Sequence, residues 1–346
     1  MGSARDVLPA LPSEPKLSIP PMGCGTWAWG NKFVWGYDES MDDELQRVFD
    51  VHCDAGCGLF DTGDSYGTGA LEGRSETLLG EFGEARRARS AGGSDPGPIF
   101  ATKLATYPWR LSRRDFTRAC RSSLDRMQTR QIGLAQAHWS AQKYAPWQER
   151  AIWDGLGDMA EEGLARAIGV SNYGPRQLCK IHAHLASRGI QLGTCQVQMS
   201  LLSWGPLQRD TLAACADLGV QVIAYSPFAL GLLSGSYAVP PRGSGDARVP
   251  PGFRGFLFRD TLPAIAPLLE EMRRVGEDVG ATAAQIALGW CLAKGAVPIP
   301  GAKSAAQARA NVAALALPLS SEHCRCLEAA AAKCSKQAVQ NIFMTS

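Results

Sequence analysis

The chain has 346 residues, 45% of them hydrophobic, and a net charge of +2. That length and apolar content can bury a large core, while the balanced charge and the absence of a dense Lys/Arg block argue against nucleic acid as a partner. No apolar run reaches the ~18 residues of a membrane span, and the 11 scattered cysteines, with no two matching CxxC pairs, read as reduced core residues rather than metal ligands.

Residues 1–17 read as a flexible N-terminal segment ahead of one domain over 18–346. They carry Arg5, Asp6, Glu14 and Lys16 among several prolines and lack the apolar centre of a secretory signal. Apolar runs at 20–25, 58–62, 98–103, 132–138, 165–171, 193–198, 220–226 and 296–300 predict strands. Amphipathic spacing over 41–55, 113–127, 146–162, 175–187, 208–218 and 305–314 predicts helices between them. Eight strands with intervening helices imply parallel βαβ units. These either close into a (β/α)₈ TIM barrel or open into a doubly wound sheet, and the count of eight favours the barrel.

The run 110–114 reads as a solvated turn, and the Gly-, Pro- and Ser-rich stretch 229–260 as a long irregular loop. So long a loop inside a compact domain is a flap over a bound cofactor or a disordered insertion. Gly23, Gly25 and Ala28 match G-x-G-x-x-A, a dinucleotide-binding pattern that should open a helix. The following residues, WGNKFVWGY, lack helical spacing and favour the barrel reading.

Barrel chemistry sits where strands end at the C-terminal rim. Polar residues fall there on several units: Asp61, Lys103, His138, Ser171, Asn172, Gln196, Tyr225 and Ser226. Tyr66 follows Asp61 in the Gly-rich turn FDTGDSYG. A phenol with a pKa near ~10 is a weak acid at neutral pH, and a neighbouring ammonium lowers that pKa by favouring the phenolate. Lys103, ending the next strand, is the candidate ammonium, Asp61 its counter-ion and His138 a hydrogen-bond donor or proton shuttle for a substrate oxygen. Trp27, Trp29, Trp35, Trp109 and Trp139 follow predicted strand ends and serve either as core packing or as an aromatic wall; Trp27 and Trp139 are the candidate substrate contacts.

With these motifs in order, the chain resembles the aldo-keto reductases. The resemblance rests on FDTGDSYG, ATK at Lys103, AHW at His138, GVSNY, CQVQMSLL, AYSPFALGLLSG and IPGAKSAAQARAN, which span most of the chain. It implies a barrel that reduces an aldehyde with NADPH through the tetrad Asp61, Tyr66, Lys103 and His138. It also implies cofactor contacts. Ser171, Asn172 and Gln196 would hold the carboxamide and Tyr225, followed by Ser226, would stack on the nicotinamide. Gly25, Thr26 and Trp27 would lie beside that ring, and Leu230, Gly231 and Leu233 would bring backbone to the pyrophosphate. Lys303, Ser304, Gln307 and Asn311 would hold the adenosine end, with Ser304 capping a helix that leaves N–H groups for a phosphate. Ala310 stands where many family members carry an acidic residue.

The stretches WGYDESMDDEL, YPWRLSRRDF, AHWSAQKYAP, VSNYGPRQLCKIH and the terminal QNIF resemble the plant pyridoxal-reductase subgroup. That resemblance implies pyridoxal reduced to pyridoxine in the chloroplast, with the cytoplasm as the alternative location. A general reductase of reactive aldehydes is the alternative activity. An NADPH-binding regulatory barrel, similar to potassium-channel β-subunits, is the alternative from another class. The expected partner is a small aldehyde, with no obligate protein partner.

Overall fold

The structure, a computed structural model, describes residues 17–68, 72–89, 97–240, 247–317 and 319–345, with the side chain of residue 253 outside the description. The expected segment 1–17 therefore lies outside the described residues except for Leu17. Eight parallel strands pair in chain order. They are β1 (Gly23–Gly25), β2 (Leu59–Asp61), β3 (Ile99–Leu104), β4 (Ile132–Ala137), β5 (Ala165–Ser171), β6 (Leu192–Gln198), β7 (Gln221–Tyr225) and β8 (Val297–Pro298). The ring closes where the Gly25 amide donates to the Pro300 carbonyl at 3.1 Å and Gly25 bridges Gly301. A Cβ on Gly25 would stand 2.9 Å from the Ile299 carbonyl oxygen, so the closing strands need a glycine there. Gly25 thus closes a barrel instead of opening a dinucleotide-binding helix.

Twelve helices surround the sheet in the described residues. In chain order they are α1 (Lys32–Trp35), α2 (Asp42–Asp54), α3 (Arg74–Arg89), α4 (Arg113–Arg126), α5 (Glu149–Glu161), α6 (Pro175–Ala186), α7 (Pro206–Leu218), α8 (Gly252–Thr261), α9 (Ala266–Val279), α10 (Ala283–Ala293), α11 (Ala305–Ala313) and α12 (Ser321–Ala332). The main core, built from outward-facing strand residues and inward helix faces, lies between the two layers. Strand faces alternate with period two. That alternation fills the lower barrel with Leu59, Ala101, Leu134, Ile223, Val297 and Ile299, sealed by Leu17 and Ile19. Two residues further along the same strands the interior turns polar, from Leu59 to Asp61, Ala101 to Lys103 and Leu134 to Gln136. The site is this upper polar layer standing on a dry apolar floor.

Two expectations need correction. The stretch 229–260 is not irregular throughout: a 3₁₀ turn covers Ala229–Gly231, Ala238 bridges Arg248, and α8 forms its end, while 241–246 lie outside the described residues. Nor is the 110–114 run merely solvated. Arg110 donates to Asp64 at 2.6 Å and to the Ala105 carbonyl at 2.7 Å, pinning the turn that carries Tyr66, and Arg113 pairs with Asp158. An arginine whose hydrocarbon stem is covered while its head is paired looks charged in sequence and structural in the fold.

Candidate functional site

The ammonium of Lys103, fully buried on β3, bonds Asp61 at the end of β2. The other carboxylate oxygen of Asp61 accepts from Gln196 Nε2 at 2.6 Å and Gln136 Nε2 at 3.2 Å. A buried carboxylate with one cation and two amide donors is satisfied on both oxygens. Gln136 was not among the sequence candidates; its place two residues after Leu134 on an inward face was the available signal.

The Tyr66 ring lies over this pair, with Lys103 Nζ 5.0 Å from its centroid. The turn holding it is tied down by Tyr66 N to Gly63 O at 3.0 Å, Asp64 N to Lys103 O at 2.9 Å and Ala105 N to Asp64 Oδ1 at 3.0 Å. Burial pushes the Tyr66 phenol above its ordinary range, and the Lys103 ammonium opposes that rise. The net direction is opposite to the lowering expected from the lysine alone, because removal of the phenolate from water outweighs one cation already shared with Asp61. Burial of Lys103 is in turn offset by Asp61 and Tyr66, which leave its pKa above the usual lysine value.

His138 faces Tyr66 edge-on, ring centroids 5.8 Å apart. Burial and the nearby Lys103 hold its pKa well below the usual histidine value, so the imidazole is neutral. Its Nδ1 is buried without a hydrogen-bond partner among the described residues. The expected tetrad is therefore one cluster: a protonated phenol, a buried ion pair and a neutral imidazole.

An aromatic wall continues from it. Trp139 packs 4.8 Å from His138 and stacks on Phe343 at 4.5 Å, while its indole N–H donates to Tyr144 Oη at 2.8 Å. Tyr107 meets Trp139 edge-on at 6.4 Å and stacks on Trp109. Trp27 is 40% exposed and packs edge-on against Trp35 across the mouth, whereas Trp29 is wholly buried and donates to Ala302 O, a core residue. Thr26 is wholly buried, its hydroxyl spent on Asp61 O and Ser75 and its amide on Asp61 O, so nothing of it is open at the mouth.

On the opposite rim Asn172 sits in the left-handed region at φ 62°, its amide donating to His138 O at 3.1 Å and Ser171 Oγ at 3.2 Å, and its oxygen accepting from the Tyr225 hydroxyl at 2.8 Å. Three more non-glycine residues with positive φ follow Tyr225: Ser226, Ala229 and Leu230. Such a cluster costs on the order of 1–3 kcal/mol per residue and gathers where a backbone must meet a ligand. Leu233 is fully buried with its amide on Phe228 O, and the Gly231 amide takes the same acceptor.

Beyond this turn α8 brings Arg254 over the Trp35 ring at 4.2 Å, with an Nη donating to Leu230 O at 2.7 Å. Lys303 Nζ donates to Trp35 O at 3.2 Å, and burial beside the Arg254 guanidinium lowers its pKa. Arg254 Nε, Trp35 Nε1 and Asn311 Nδ2 are buried donors without partners among the described residues. Buried donors are rarely left unpaired, and two of these, Arg254 Nε and Trp35 Nε1, lie beside the Lys303 ammonium. Arg254 escaped sequence reading because nothing in the run around it ties it to Trp35.

The start of α11 is less open than expected. Ser304 caps it through Gln307 N at 3.3 Å, but the Ala305 amide is taken by Glu44 Oε1 at 2.7 Å, and Gln307 Oε1 accepts from Lys303 N. A carboxylate already occupies one donor that was thought free for a phosphate.

Comparison with known proteins agrees with this geometry. Residues 21–332 match the family model described as Aldo/keto reductase family. The chain is 48% identical over 329 residues to the chloroplastic pyridoxal reductase of Arabidopsis thaliana, covering 95% of this chain and 88% of that protein. It is 30% identical over 296 residues to the oxidoreductase YrpG of Bacillus subtilis, covering 81% and 85%. Among solved structures, the glycerol dehydrogenase AKR11B4 from Gluconobacter oxydans superposes with a TM-score of 0.72 at 23% identity, covering 94% of this chain and 96% of that one. A Bombyx mori aldo-keto reductase solved in complex with NADP superposes at 0.61 with 21% identity, covering 90% and 89%. The chain belongs to the aldo/keto reductase family.

Proposed function

We propose that the chain reduces pyridoxal to pyridoxine with NADPH. The observation that carries the chemistry is the contact of Tyr66, Lys103, Asp61 and His138 at the foot of one aromatic-walled mouth. The substrate rests on the 48% identity to the Arabidopsis enzyme over 95% of this chain. A flat heteroaromatic aldehyde also suits walls made of Trp139, Phe343, Tyr107 and Trp27. The same likeness supports a plastid location. Among the described residues no helix is long and apolar enough to cross a membrane.

NADPH, when bound, supplies the hydride. The chain's residues do the rest. The carbonyl oxygen lies against the Tyr66 hydroxyl and the neutral His138 ring, and both donate as negative charge grows on it. Tyr66 passes its proton to that oxygen, and Lys103 stabilises the phenolate left behind. Asp61 keeps Lys103 charged in a place that would otherwise favour the neutral amine. The high pKa of Tyr66 keeps the acid loaded at neutral pH before a substrate arrives.

The cofactor reading assigns the rim residues to successive parts of NADPH. Ser171 offers its hydroxyl to the carboxamide, Asn172, whose amide hydrogens are given to His138 O and Ser171 Oγ, offers the second lone pair of its Oδ1, and Gln196, whose Nε2 is spent on Asp61, offers its carbonyl oxygen. Tyr225, followed by Ser226, seats the nicotinamide, and the strained turn at Leu230 and Gly231 meets the pyrophosphate, with α8 folded over it as the flap. Lys303 and Ser304 suit the 2′-phosphate, and Gln307 and Asn311 the adenine.

The test is NADPH oxidation across a panel of aldehydes. Pyridoxal preferred over a simple aromatic aldehyde supports the reading; equal rates point to a general aldehyde reductase, and no turnover with any aldehyde to a regulatory barrel.

A further inference from the structure

The C-terminal segment after α12 does not trail away. It crosses the barrel mouth and is tied down by Ala338 N to Leu202 O at 2.9 Å, Gln198 Nε2 to Val339 O at 3.1 Å and Lys143 Nζ to Ile342 O at 3.2 Å. Met344 and Thr345 are buried although they stand almost at the end of the chain. Chain ends are usually loose unless something docks them.

The docking partners belong to the nicotinamide seat. Asn341 Nδ2 donates to the Tyr225 hydroxyl at 3.0 Å, and that hydroxyl donates to Asn172 Oδ1 at 2.8 Å. Thr345 N donates to the carbonyl of the same Asn172 at 3.1 Å, and Thr345 Oγ1 accepts from Gly174 N at 2.9 Å. Asn341 is itself oriented, its Oδ1 accepting from Phe343 N at 2.9 Å. The tail therefore grips Tyr225 and Asn172 from one side, and Asn172 is a residue whose left-handed backbone needs such restraint.

We infer that Asn341 is a positioning residue for the cofactor: by bonding the Tyr225 hydroxyl it holds the ring at the angle that seats the nicotinamide, and so makes the C-terminal segment part of that seat. The inference rests on the reading of Tyr225 as the nicotinamide platform. A tyrosine ring can swing about its side-chain torsions, and a platform that swings neither binds the nicotinamide tightly nor presents it at one angle. A phenylalanine in place of Tyr225 would keep the ring and lose the anchor.

The experiment titrates two ligands into the full chain: NADPH, and 2′-phospho-ADP-ribose, which carries every part of the cofactor except the nicotinamide. The variants are Asn341→Ala, Tyr225→Phe, their combination and Tyr225→Ala. The loss of one hydrogen bond corresponds to a change of roughly two- to tenfold. Asn341→Ala is expected to weaken NADPH by that factor, leave 2′-phospho-ADP-ribose unchanged and lower kcat more than it raises KM for the aldehyde. Adding it to Tyr225→Phe should cost nothing further, because the two act through one bond. Equal weakening of both ligands, no weakening of NADPH, or additive losses in the combination would each overturn the inference. Tyr225→Ala separates it from the reading beneath: if that variant binds NADPH like the parent, the platform itself is wrong. If it binds poorly while Asn341→Ala does not, only the role of Asn341 fails.

Discussion

Lys103 Nζ stands 5.0 Å from the centre of the Tyr66 ring and is bonded to Asp61, so one buried ammonium touches both the carboxylate and the phenol ring. The Lys103 and Asp61 side chains are 2% and 4% exposed. Breaking such a pair from one side strands a charge, which costs roughly 3–5 kcal/mol. Lys103→Met is therefore expected to lose stability on that scale in urea denaturation and to lower kcat at least about a hundredfold. Lys103→Met combined with Asp61→Asn should be more stable than Lys103→Met alone, yet no more active.

The pH dependence of reduction follows from the two shifted groups at the mouth. His138, held neutral by burial, has no titration left to make near neutrality, and Tyr66 stays protonated beyond its ordinary value of 10.0. The kcat for aldehyde reduction is expected to stay level through neutral pH and to fall only on the strongly alkaline side. A profile that halves between pH 6 and 7.5 would contradict the neutral histidine.

His52 lies far from this chemistry on α2, fully buried against Phe60, with neither ring nitrogen partnered among the described residues. Burial lowers its pKa from 6.5 to about 4. The unfolded chain then binds more protons than the folded one between those values, so stability is fully present above the unfolded pKa and declines as pH falls toward the folded one. The slope is at most about 1.4 kcal/mol per pH unit. His52→Leu is expected to be the more stable protein, by roughly 1–3 kcal/mol at pH 5, and to flatten this part of the stability curve. Denaturant titrations at pH 5 and pH 7 check both.

Lys303 is half-buried beside Arg254, where two cations meet. The proposed contact with a 2′-phosphate exists for NADPH and not for NADH. Lys303→Ala is expected to weaken NADPH by about tenfold or more and NADH by less than about twofold, read by fluorescence titration of both. Equal weakening would remove the 2′-phosphate assignment.

The barrel was legible because its strands are buried on both faces and read as compact apolar runs, and because Asp61, Lys103 and His138 end such runs. The helix α3 was not. It carries Gly80 and Gly83 where helices prefer other residues, and its neighbours explain why: a Cβ on Gly80 would stand 2.7 Å from the Arg126 carbonyl oxygen. Packing against α4 selected a residue that local propensity reads as a breaker. The distant members of the site were hidden for a different reason. Arg254 on Trp35 and Asn341 on Tyr225 join segments far apart in the chain, and no local spacing announces such a meeting. The expected fall in the Tyr66 pKa failed because sequence shows the neighbouring cation but not the depth of burial that opposes it.

The most direct measurement is the turnover and NADPH affinity of Tyr66→Phe, which removes the hydroxyl and keeps the ring. If the phenol is the proton source, turnover with pyridoxal falls by at least about three orders of magnitude while NADPH binds within about twofold of the parent. A Tyr66→Phe protein that turns over at a rate comparable to the parent would contradict the account.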